Sequence, residues 1–109
     1  MIEIKIRREF TATPGARFKT DGNFSGEQFR EEILEPKFKE AIEKKEKLFI
    51  DLDGGYGYAQ SFLEESFGGL ARMYGVKEVE DSIERIKSED EPRLIEDIQQ
   101  YIRNAKNKK

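Results

Sequence analysis

The 109 residues carry 20 Lys and Arg against 23 Asp and Glu, a formal net charge of −3, and contain neither Cys nor His. That excludes disulfides, thiol catalysis, Ser-His-Asp chemistry and the commonest transition-metal ligands, and charges of both signs so interspersed describe a solvated surface rather than a nucleic-acid-binding face. A hydrophobic content of 36% with eight Phe is enough for one core. No stretch approaches the roughly 20 apolar residues of a membrane span, and no signal peptide opens the chain, so a cytoplasmic protein with no membrane partner is expected.

Ile2, Ile4 and Ile6 alternate with Glu3, Lys5 and Arg7, the period-2 pattern of a first strand that Phe10 extends. Pro14-Gly15 marks a turn, and Ala16 to Thr20 is predicted to return as a short second strand, giving an N-terminal hairpin. After the Asp21-Gly22-Asn23 loop, Ser25 and Gln28 have capping-box spacing, and Phe24 is placed to staple onto Phe29. A helix from Gly26 to Leu34 follows. Pro36 predicts a kink or restart, with Phe38, Ala41 and Ile42 as the buried face of a segment ending near Lys45.

Leu48, Phe49, Ile50 and Leu52 form an apolar run too continuous for a strand with one wet face, so a central strand covered on both sides is expected. Asp53, Gly54, Gly55 and Gly57 are loop formers. Ser61 and Glu64 read as a second capping box, and Leu63, Phe67, Leu70, Ala71 and Tyr74 mark one face of a helix stopped by Gly75. Gly68-Gly69 inside it costs helix propensity and points to a close approach. The crevice beyond the carboxyl end of such a strand is the expected docking place in an open α/β sheet.

Ser82 to Lys87 is ambiguous, because Ile83 and Ile86 lie three apart, and is read as a strand. Asp90 ahead of Pro92 reads as the start of a last helix with Leu94, Ile95, Ile98, Tyr101 and Ile102 on its apolar stripe. The expected architecture is one α/β domain over residues 1–105: a small mixed four-stranded sheet, hairpin first and parallel strands after, with helices packed on it. Residues 106–109 read as a basic flexible tail.

Two stretches carry a resemblance. TDGNFSGEQFREEIL and IDLDGGYGYAQSFLEESFGGLAR are similar to the bacterial STAS-like family of unknown function, whose members carry DGxxSGExFRE and DLDGxxGYxxSFLEEAFGGL. More broadly the order of elements resembles the STAS domain of anti-sigma factor antagonists. Their phosphorylated stretch reads approximately D-L-S-x-V-x-x-I-D-S-S-G-L. Asp51-Leu52 matches its opening, Ala59 and Gln60 replace the Asp and first Ser, and Ser61 falls on the phosphorylated Ser. The resemblance implies a non-enzymatic regulatory interaction module with a protein partner such as a kinase or ATPase-type regulator and no cofactor, and it makes Ser61 the candidate switch residue. The expected contact surface is Asp53, Gly54, Gly55, Tyr56, Tyr58, Gln60, Phe62 and Glu65, since loop aromatics anchor interfaces.

Two other readings stay open. Asp51-Leu52-Asp53-Gly54 after an apolar strand resembles the opening motif of haloacid-dehalogenase-type phosphatases, which implies Mg²⁺-dependent phosphoryl transfer with Asp51 as nucleophile and Asp53 as general acid. The glycines ahead of a helix also permit a nucleotide-sensing loop.

Overall fold

The structure, a computed structural model, describes residues 1–55 and 57–105. Three strands, β1 (Ile2–Lys5), β2 (Leu48–Asp51) and β3 (Ile83–Lys87), pair in parallel in the order β1-β2-β3. The apolar run Leu48 to Ile50 is therefore central, as its composition predicts. Ile4 pairs with Ile50 and Ile50 with Ile86, while Ile2 and Ile83 flank Leu48. A register shift leaves Glu84 as the extra residue of a β-bulge, which returns Ile83 and Ile86 to one face although they lie three apart. That bulge is the physical source of the ambiguous spacing.

The expected hairpin and fourth strand are not there. Ile6–Glu9 winds into a single helical turn instead of continuing β1 towards Phe10, and Lys19–Asp21 is a short 3-10 turn. The carbonyls of Ala16 and Arg17 accept the N–H groups of Gly26 and Glu27 at 2.9 Å each. These are free donors at a helix start. The segment read as a return strand thus closes the first turn of the next helix and has no backbone left for β1.

Helix α1 spans 26–44 and contains a π turn over Arg30–Leu34. Ser25 caps it as expected: its Oγ accepts the Gln28 N–H at 3.0 Å, and Gln28 Oε1 accepts the Phe24 N–H at 3.1 Å. Pro36 does not break α1. The Glu35 N–H reaches back to the Arg30 carbonyl, a five-residue step that shifts the ladder just where proline lacks a donor and its ring crowds the preceding turn. Helix α2 spans 60–74 with a second π turn over Glu64–Gly68. After Gly75, at φ +108, a helix the periodicity did not announce, α3 (Val76–Ser82), leads directly into β3. Helix α4 (Arg93–Arg103) buries Leu94, Ile98 and Ile102, with Pro92 rather than Asp90 at its cap.

Both crossovers step in the same direction across the sheet, so right-handed connections place α1 and α2 on one face. Helix α4 then packs on α2 and α3. Leu48, Ile50, Phe29, Phe38, Phe62, Phe67, Leu70 and Ile98 fill that side. The opposite face bears Glu3, Lys5, Phe49, Asp51, Arg85 and Lys87, with Glu3 and Arg85 exposed and Phe49 half-buried. The expectation of helices on both faces of β2 fails for this reason. The basic tail 106–109 lies outside the described residues, and no helix of the described ones is long and apolar enough to cross a membrane.

Candidate functional site

At the carboxyl end of β2 the chain turns through two aspartates. Asp51 is buried, and its Oδ1 accepts the Asp53 N–H at 2.9 Å, an Asx turn that starts the loop. The Asp53 carboxylate accepts the N–H groups of Glu89 and Asp90 at 3.0 and 2.9 Å, with Lys87 Nζ at 3.7 Å. Asp90 returns the contact by accepting the Gly54 N–H at 3.0 Å. Burial pushes the Asp53 carboxyl up, but the two N–H groups and the Lys87 ammonium outweigh it and hold its pKa below the ordinary value. Asp90, expected to open α4, instead joins the two loops.

Gly54 has φ +91, and a Cβ there would lie 2.2 Å from Arg7 Nε, so the arginine side chain lies flat over the glycine. Tyr58 turns inward and donates from its hydroxyl to the Leu52 carbonyl at 2.8 Å. Burial, followed by the charges of Asp51, Asp53 and Asp90, raises its pKa and keeps the phenol protonated. Tyr56 lies outside the described residues.

The first turn of α2 departs from the capping-box expectation. Ala59 is the cap residue, Ser61 stands at the second helical position, and among the described residues no side chain accepts from the first turn. Glu64 cannot reach back because its carboxylate binds Arg17 at 2.5 Å and Arg72 at 2.6 Å. Burial pushes the Glu64 carboxyl up, and Arg72 and Arg17 more than reverse this, so it stays ionised below the usual range. Glu65, expected on the contact surface, is equally occupied: it takes Arg30 at 2.6 Å, and both side chains are only 12% exposed. Phe62, expected beside it, is fully buried, its ring 5.8 Å from Phe29 in a stacked pair and 6.0 Å from Tyr58.

These residues belong to the crossing of α1 over α2. A Cβ on Gly26 would lie 2.4 Å from the Phe62 carbonyl oxygen, and one on Gly69 would lie 2.5 Å from an Arg30 guanidinium nitrogen. Ser66 Oγ donates towards the carbonyls of Phe62 (2.8 Å) and Gly26 (3.2 Å), joining the helices where side chains leave no room. Both π turns lie at this crossing. The close approach expected of Gly68-Gly69 is therefore internal. No local pattern signals the partners Arg17, Arg30 and Arg72, because interspersed basic and acidic residues read as a solvated surface.

What remains free at this end of the molecule lies between α2 and α4. Tyr58, Gln60, Leu63, Arg93, Leu94, Asp97 and Tyr101 line a cleft of about 250 Å³. Among the described residues the side chains of Gln60, Ser61, Asp97 and Tyr101 have no hydrogen-bond partner in the chain, and Gln60 is exposed. Asp97 and Tyr101 are one turn apart and half-buried on α4, Tyr101 as part of the expected apolar stripe, but nothing in the sequence brings them next to Gln60. The crevice itself is not of the doubly wound kind, because the order β1-β2-β3 contains no reversal and hence no topological switch point. Among the described residues no group of three or more carboxylates gathers as a metal site.

No curated protein and no solved structure matches the chain. A family model described as a STAS-like domain of unknown function (DUF4325) matches residues 25–92. That span begins at the serine cap of α1, takes in both halves of the helix crossing and the β2 loop, and ends at the cap of α4. With more than half of its length inside the match, and the two motif stretches forming one packed unit, the chain belongs to the STAS-like domain family of unknown function.

Proposed function

We propose that the chain is a non-enzymatic regulatory module that binds a protein partner across the cleft between α2 and α4, with Ser61 as the residue at which a phosphate would switch binding. The observation that supports this is where the polar groups are occupied. Asp51 and Asp53, the pair on which phosphoryl transfer would depend, hold backbone N–H groups, Asp51 one of its own loop and Asp53 two of the loop after β3. Gln60, Asp97 and Tyr101 instead line an open cleft, and they and Ser61, next to Gln60 on α2, have no hydrogen-bond partner among the described residues. Tyr58 and Gln60 of the expected surface stay in the reading through this cleft, Asp53, Gly54 and Gly55 support it from behind, and Phe62 and Glu65 leave it.

Ser61 sits where the N–H groups of the first turn of α2 have no intrahelical acceptor, which suits a phosphate. Repulsion of that phosphate by Glu64 and Glu65, one turn further on, is offset, because both carboxylates are paired with arginines. A phosphate there would be held by the helix and would alter the charge beside Gln60 rather than the fold.

The test is a photo-crosslinker placed at Gln60 and, as a control, at exposed Lys77 on α3, in the native cell. A single protein captured from Gln60 but not from Lys77, and lost with Ser61→Glu, is the expected result. Equal capture from both positions, or capture indifferent to Ser61→Glu and Tyr101→Ala, overturns the reading. Mg²⁺-dependent hydrolysis of a phosphomonoester that disappears with Asp51→Asn would overturn its non-enzymatic half.

A further inference from the structure

The sheet face away from the helices has one rung of distinct character. Glu3 on β1 pairs with Phe49 on β2, and Phe49 with Arg85 on β3, so an acid, an aromatic ring and a base stand in line across the strands. The Arg85 guanidinium lies over the Phe49 ring, 5.7 Å from its centroid. Exposed Met1 stands beside them, and Met1, Phe49, Glu84 and Arg85 line an open depression of about 270 Å³. Among the described residues the carboxylate of Glu3 and the guanidinium of Arg85 have no ion pair.

A row of acid, aromatic and base is complementary to itself. Turned over by a two-fold axis running along β2 in the plane of contact, a second sheet sets its β3 over β1 of the first and its β1 over β3. Glu3 of each copy then meets Arg85 of the other, and the two Phe49 rings meet at the axis. An isologous contact of this kind closes after two copies. The next rung sets Lys5 opposite Lys87 and Asp51 opposite Asp51, an unfavourable match that Lys87 eases by leaning towards Asp53 and that keeps the contact centred on the Glu3–Phe49–Arg85 rung.

We infer that the open face of the sheet joins two copies of this chain, through paired Glu3–Arg85 bridges around a Phe49–Phe49 centre. Three strands about 4.8 Å apart make a narrow contact, below the roughly 800 Å² per partner of a stable interface. The dimer is consequently weak and reversible, and its face is separate from the cleft between α2 and α4.

Sedimentation equilibrium of the full chain over rising concentration reads this directly. Wild type should move from monomer towards twice the monomer mass, while Glu3→Arg and Arg85→Glu, each folded by circular dichroism, should weaken association by about tenfold or more through like-charge contact. An equimolar mixture of the two variants should associate again, because in the mixed pair both bridges regain opposite signs. Wild type that stays monomeric to about 1 mM overturns the inference, since even a millimolar dissociation constant would show there. So do variants that dimerise as well as wild type, and a mixture that does not recover.

Discussion

The crossing of α1 over α2 and the loop after β2 are both rich in glycine and acidic residues, yet they are held in opposite ways. At the crossing, helix backbones approach until a Cβ on Gly26 would overlap the Phe62 carbonyl, and ion pairs such as Arg30–Glu65 close over the contact with little exposure. In the loop, glycine serves positive φ at Gly54 and Gly57, and the chain is held by carboxylates gripping backbone N–H groups at a wetter surface. A motif that looks continuous from Asp51 to Arg72 therefore divides into a scaffold half and a loop half. The division lies near Ser61, the residue after Gln60 of the cleft lining.

The sharpest way to break that comparison is Phe62→Ala, which empties a site packed against Phe29 and Tyr58 and should cost about 4 kcal/mol in urea unfolding. A loss under about 1 kcal/mol would return Phe62 to the surface role its loop-side position suggests. Next, Glu65→Ala leaves the Arg30 guanidinium enclosed without its carboxylate and should cost about 3 kcal/mol, whereas Arg30→Met with Glu65→Leu should recover much of that. If the double variant is no better than the single one, the pair is not acting as a buried unit.

On the loop side, Asp53→Asn keeps one acceptor and loses the charge, so about 1.5 kcal/mol is expected. The same residue sets a pH dependence. Asp53 and Glu64 have depressed pKa values in the folded chain, so the stability they confer is present above the ordinary carboxyl pKa, about 4. It is lost as pH falls through the lower folded values. Thermal unfolding of wild type should show this acid loss, and Asp53→Asn should flatten part of it. The smallest effect sharpens the boundary: Ser61→Ala should change stability by under about 0.5 kcal/mol, because Ala59 and not Ser61 stands at the cap. A loss near 1 kcal/mol, the usual worth of a serine cap, would show that the hydroxyl does cap α2.

The order of helices and parallel strands was legible wherever local chemistry acts alone. The Leu48–Ile50 run announced a central strand, Ser25 with Gln28 announced the start of α1, and the stripe through Leu94, Ile98 and Ile102 announced α4. Each rests on periodicity or on a cap that neighbours in sequence complete. Ser61 with Glu64 carries the same cap signature as Ser25 with Gln28 and behaves differently, since Arg17, distant in sequence, and Arg72, two turns further along α2, compete for Glu64. Ala16 to Thr20 offered strand-like backbone, and the tertiary structure used it to satisfy the first turn of α1. The site followed the same rule. Sequence alone placed a serine and a loop at the end of β2 and could not tell which side chains would remain free, because Tyr58, Phe62 and Glu65 found partners on α1 or in the loop itself. Composition and local pattern determined the three parallel strands and the helices α1, α2 and α4. Which polar groups are occupied, which face of the sheet is bare and which residues meet at the cleft were decided by contacts between elements, where burial makes every unpartnered group costly and so reassigns it.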